Sequence, residues 1–103
     1  MNALNLLSNI IIVYSDDIQN SKAGAISLNI ALKQKNISSS VVSINNLSNN
    51  ASFVIVMGGD GSILKTARFF APANAPILGV NLGRLGFLSQ VNLDNINFLI
   101  EQI

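Results

Sequence analysis

The sequence predicts an α/β fold, a parallel sheet covered by helices on both faces, and three observations carry that reading. Four short apolar runs lack polar alternation, which marks strands buried on both sides. Amphipathic segments alternate with them, as the crossovers between parallel strands require. A glycine cluster follows one run directly, where a strand turns into a helix.

The first run, Ile10–Tyr14 (IIIVY), is β-branched and ends at Ser15-Asp16-Asp17, a strand followed by a polar loop. From about residue 21 to 35 the spacing becomes helical. Ala23, Ile26, Ile30 and Ala31 supply the apolar face, and Lys22, Asn29 and Lys33 the other. Residues 41–44 form a second strand, and 45–52 a polar connection with room for one short helix. Residues 53–57 (FVIVM) form the third strand, which runs straight into Gly58-Gly59-Asp60-Gly61-Ser62. A helix over about 62–70 is stopped by Pro72. Pro76 precedes the fourth strand, residues 77–80, and residues 94–103 have the pattern of a short amphipathic helix. The order is β-α-β-β-α-β-α, a single small domain over residues 1–91. Residues 92–103 then begin a connector helix.

Composition removes several functions. Half of the 103 residues are hydrophobic and 11% are charged, ample for one core. A net charge of +1, with six scattered basic residues, gives no footprint for nucleic acid or an anionic membrane. No apolar stretch approaches the roughly 18 residues that span a bilayer. The amino terminus lacks the basic lead and cleavage site of a signal peptide. A cytoplasmic protein is expected. Without Cys or His, thiolate, zinc-finger and imidazole chemistry are excluded, so acid–base work falls to a carboxylate or a lysine. Asp16 and Asp17 could suggest a metal site, but adjacent carboxylates in a loop are more often solvated, and they are assigned no role.

The glycine cluster sits where α/β sheets bind ligands, beyond the carboxyl end of a strand. Gly58, Gly59 and Gly61 permit positive φ and let a ligand approach the backbone, because no Cβ intervenes. The next helix points its unpaired N–H groups and positive dipole end at the same place, which favours phosphate. A carboxylate there, Asp60, is suited to take a proton from a hydroxyl beside phosphates. The plain alternative is a tight turn that Asp60 merely caps. Lys65 and Arg68 lie one and two turns along the same helix, with a solvated basic face as the simpler reading of Arg68.

Gly-Gly-Asp-Gly followed by a hydroxyl residue is shared by NAD kinases, diacylglycerol-type lipid kinases and phosphofructokinases. The segment Gly79-Val80-Asn81-Leu82-Gly83-Arg84-Leu85-Gly86-Phe87-Leu88 discriminates among them. It resembles the second NAD kinase signature, G-x-N-x-G-x-L-G-F-L. The Gly-Thr-Gly-Asn-Asp element of lipid kinases and the Pro-Lys-Thr segment of phosphofructokinases do not occur. The two signatures cover about residues 53–91.

This resemblance implies the Rossmann-like amino-terminal domain of a two-domain kinase. It implies phosphoryl transfer from ATP or polyphosphate to the adenosine 2′-hydroxyl of NAD, with Mg²⁺ on the donor. Asp60 would be the catalytic base. Gly58, Gly59, Asp60, Gly61, Ser62, Lys65, Asn81, Gly83 and Phe87 would contact the nucleotide, with Phe87 stacked on adenine; the plain alternative for Phe87 is core packing between Leu85 and Leu88. Ser62 stands where the family usually has Thr. The family's β-rich second domain, with its Asn-Glu pair, is expected to be missing, which leaves the isolated chain inactive. The apolar stripe Ile96, Leu99, Ile100 and Ile103 then calls for a homo-oligomer or a second-domain partner. Two other readings stay open at this point: a lipid-kinase relative, and a non-catalytic nucleotide-binding module.

Overall fold

In the computed structural model, residues 9–48, 51–82 and the backbone of 91–92 are described. The elements run β1 (Ile10–Tyr14), α1 (Ser21–Gln34), β2 (Ser39–Ser43), a 3₁₀ turn (Ile44–Asn46), β3 (Phe53–Gly58) and α2 (Asp60–Phe70). A second 3₁₀ turn (Ala71–Ala73), β4 (Ile77–Asn81) and the two-residue β5 (Val91–Asn92) follow. The five strands form one sheet in the order β2-β1-β3-β4-β5, and every pairing is parallel. The expected α/β fold is the one found.

Strand alternation sorts the core into two clusters. Ile10 and Ile12 of β1, Ile55 and Met57 of β3 and Val80 of β4 pack with Ala25, Leu28 and Leu32 of α1. Ile11 and Val13 with Val54 and Val56 pack against Ile63 and Phe70 of α2. The two helices therefore lie on opposite faces, which makes three layers. One crossover hand, taken leftward from β1 and rightward from β3, produces that arrangement.

The apolar face of α1 differs from the sequence expectation. Ser21, Gly24, Ala25, Leu28 and Leu32 are buried, whereas Ala23 is exposed and Ile26 and Ile30 are 44% and 53% exposed. Close approach is the reason. A Cβ at Gly24 would lie 3.0 Å from Met57 Cε, so at that point of the helix only the smallest residues fit against β3, and the larger Leu28 and Leu32 complete the inner face further along. The helix ends in a Schellman arrangement, with Ile37 N–H donating to the Leu32 carbonyl and Asn36 N–H to that of Lys33. Asn36 has φ 61°, and Asn9, Asn20 and Asn74 are also left-handed. No glycine among the described residues has positive φ, which corrects the reason given for the glycines of the cluster.

The cluster itself is tighter than a five-residue loop. β3 runs through Gly58 and α2 starts at Asp60, so Gly59 alone joins strand to helix. The second strand starts at Ser39 rather than Val41, and a 3₁₀ turn occupies the start of the polar connection. Gly83, Phe87 and the tail stripe from Ile96 to Ile103 lie outside the described residues.

Candidate functional site

β1 and β3 are neighbours whose onward helices leave in opposite directions along the sheet. That reversal is the topological switch point, where open α/β sheets bind ligands outside the carboxyl strand ends. The register sets the floor there. Tyr14 pairs with Met57, Gly58 with Asn81, and Asn81 with Asn92. Asn81 is 7% exposed. The third and fourth strands are direct neighbours. Gly58 and Asn81 therefore stand about 5 Å apart at one edge of the crevice.

The three glycines have different jobs. A Cβ on Gly58 would lie 2.8 Å from Ser62 Oγ and 3.0 Å from Ser62 Cβ, so the first turn of α2 is packed onto this residue. Around Gly59 and Gly61 an added Cβ would meet nothing within 4 Å. Neither packing nor backbone conformation demands glycine at those two positions. What they provide is open space over the start of α2.

Gly59 is the N-cap, in extended conformation, and contributes no side-chain cap. Its carbonyl accepts the first helical bond, from the Ile63 N–H at 3.0 Å. Asp60 is the first helical residue and half-buried, so capping is not its position. The first N–H groups of a helix have no intrahelical acceptor. Ser62 is buried, with its hydroxyl turned toward Gly58, and its carbonyl accepts from buried Thr66 Oγ1 at 2.8 Å.

Lys65 and Arg68 take the flank of α2 that faces the 3₁₀ turn after β2. With Ile44, Asn45, Leu47 and Phe69 they line a groove of about 470 Å³. Lys65 Nζ donates to Asn45 Oδ1 at 3.5 Å. Asn45 Nδ2 donates to Asp16 Oδ2 at 3.0 Å, and Ser43 Oγ to the same oxygen at 2.6 Å. Asp16, to which the sequence assigned nothing, thus ties the β1–α1 loop to the end of β2. Its partners stand 27 and 29 residues away, which no local pattern reveals. No three acidic, Cys or His groups cluster as a metal cage among the described residues.

Residues 4–103 match the model of the ATP-NAD kinase N-terminal domain. The chain belongs to that NAD kinase family. The NAD kinase of Carboxydothermus hydrogenoformans is 43% identical over 63 residues, which is 61% of this chain and 22% of that protein. The NAD kinase of Koribacter versatilis is 53% identical over 51 residues, 50% of this chain and 18% of that protein. A crystal structure of an NAD kinase from Archaeoglobus fulgidus in complex with ATP matches with a TM-score of 0.62 at 23% identity. It covers 90% of this chain and 36% of that one. The chain spans about a fifth of the length of the curated NAD kinases it matches. Among the described residues, no helix is long and apolar enough to cross a membrane.

Proposed function

We propose that this chain supplies the phosphate-binding wall of an NAD kinase active site. That site would transfer a phosphoryl group from ATP or polyphosphate to the 2′-hydroxyl of NAD, giving NADP in the cytoplasm. One observation carries the reading: a single-residue strand-to-helix junction at the switch point, with open space over Gly59 and Gly61 beside Asp60. Backbone amides at the start of α2 would hold phosphate oxygens. Asp60 would accept the proton of the 2′-hydroxyl as its oxygen bonds to the transferred phosphorus and the bond to the leaving phosphate oxygen breaks. Asn81, at the end of the neighbouring strand, would orient the acceptor. Gly83 and Phe87 would complete the nucleotide contacts by the family signature, with Lys65 drawn in from the α2 flank. Ser62 would set the turn from which the amides project.

Mg²⁺ would belong to the donor phosphates and neutralise their charge, since the described residues build no cage of three carboxylates for it. Residues 92–103 would lead toward a second domain. That domain, or a second copy of the chain, would close the crevice and exclude water.

Glycine replacements test the reading directly. Ala at Gly61 lies inside α2 with free space around its methyl group, so it should raise stability by up to about 1 kcal/mol. A rise of several degrees in melting temperature is expected. In the complete protein, Gly59→Ala and Gly61→Ala should each weaken nucleotide binding at least about tenfold, because the methyl occupies the phosphate's space. Unchanged nucleotide titrations in both variants would remove the open space from the site. The isolated 103-residue chain is expected to make little or no NADP from ATP, NAD and Mg²⁺. Turnover matching that of a full-length kinase would show that the second wall is dispensable.

A further inference from the structure

The crevice between β1 and β3 is built around one buried hydroxyl. Pairing of these strands runs from Ile10 opposite Phe53 to Tyr14 opposite Met57. In a parallel ladder the next rung would carry the Ser15 N–H to the Met57 carbonyl. Instead, Ser15 N–H donates to Ser21 Oγ at 2.9 Å, and Ser21 Oγ donates to the Met57 carbonyl at 2.6 Å. Two bonds in series stand where one would have been. The oxygen between them keeps the strand ends apart at the mouth of the crevice.

Everything around this rung leads to the Asp60 junction. Met57 precedes Gly58, Gly59 and Asp60 directly, so the anchor of its carbonyl sets the direction in which the chain leaves β3. Ser21 is fully buried at the first position of α1. The turn that delivers it is closed by Ile18 N–H on the Ser15 carbonyl at 3.3 Å and Ser21 N–H on the Ile18 carbonyl at 3.2 Å. Ile18 Cδ1 reaches to within 3.2 Å of the place a Cβ on Gly58 would take. The β1–α1 turn thus touches the junction at two points, a hydroxyl below and a methyl beside it.

We propose that Ser21 is a positioning residue for the Asp60 site. Its hydroxyl, wedged into the β1–β3 ladder, holds the switch-point crevice open and aims the Gly58-Gly59-Asp60 junction. The inference rests on the nucleotide-site reading above for its effect on turnover, but not for the wedge itself. Without the hydroxyl, Ser15 N–H and the Met57 carbonyl can close into a direct rung, which draws the junction toward β1. Displacements of about 1 Å in a phosphoryl-transfer site cost on the order of a hundredfold in rate.

The experiment uses the complete protein that carries this chain, as wild type, Ser21→Ala, Ser21→Thr and Ser39→Ala. Ser39 is the control. Its hydroxyl bonds Asn29 Oδ1 at 2.6 Å, and it pairs with Ile10 at the amino end of the sheet, away from the crevice. Ser21→Ala should lower kcat about a hundredfold, Ser21→Thr should restore much of it, and Ser39→Ala should lower only the melting temperature. Glycine-labelled NMR spectra supply a second readout: the Gly58 and Gly59 amide resonances should move in Ser21→Ala and stay in Ser39→Ala. Moved resonances in a protein whose wild type makes no NADP would support the wedge and overturn the kinase reading alone. An active wild type whose Ser21→Ala variant keeps its kcat, or unmoved Gly58 and Gly59 resonances, would overturn the proposal. Should Ser21→Ala fail to fold, Ser21→Cys, a weaker donor with longer bonds, is read by the same two measurements.

Discussion

Asp60→Asn is expected to remove phosphoryl transfer from the complete enzyme while the domain stays folded. Asn matches Asp in shape, so the half-buried position at the start of α2 is refilled. Gly59, not Asp60, is the N-cap, and no side-chain cap is broken. The loss to the fold includes the attraction of one charge to a helix end, about 0.3–1 kcal/mol. On the proposed reading the chemistry loses its proton acceptor, worth about 10²- to 10⁴-fold in rate. Single-turnover kinetics with a melting curve on the same sample separates the two. A retained rate with a lowered melting temperature would reassign Asp60 to stabilising the helix.

The largest effect on stability is expected from Phe70→Ala. Phe70 ends α2, is fully buried among Ile11, Val13, Val54 and Val56, and meets the Phe69 ring edge-on at 5.0 Å and 75°. Truncation removes most of a ring from a packed layer and leaves a cavity, which costs about 3–5 kcal/mol. Domains of this size are stable by only about 5–15 kcal/mol. A denaturant titration should therefore show the midpoint shifted by a large part of its value. A shift equivalent to less than about 1 kcal/mol would mean that α2 repacks without its anchor. Phe70→Leu, which keeps much of the volume, should cost far less.

Strands were legible because burial on both faces leaves an unbroken apolar run, and IIIVY and FVIVM are short, β-branched and followed by turn residues. The two glycine signatures were legible as motifs about one βα unit apart, and the register brings Gly58 beside Asn81. Two features were hidden. Hydrophobicity alone points to Ile26 and Ile30 as the inner face of α1. The inner face instead starts with Ser21, Gly24 and Ala25, whose small size permits close approach to β3, and continues with Leu28 and Leu32. The rung at Ser21 was hidden for another reason. A serine at the start of a helix reads as local polarity, and its partner Met57 is 36 residues away. Asn rather than Gly at the left-handed turns is consistent with the tolerance of short amides for that conformation. It left the glycines free for places where space, not rotation, is required.

The all-parallel sheet also constrains how the molecule comes into being. No two of the described strands can zip up as a hairpin, so they offer no fast local β-nucleus. The earliest closed unit is β1-α1-β2, yet β1 gains its inner neighbour only when Phe53, 43 positions after Ile10, has joined it. Such remote pairing makes for slow acquisition of structure, milliseconds or longer by comparison with helical bundles of similar size. On a ribosome the amino-terminal unit would wait, with one flank of β1 bare, until β3 emerges. The crevice between β1 and β3 therefore forms at the seam where an early unit meets a later one.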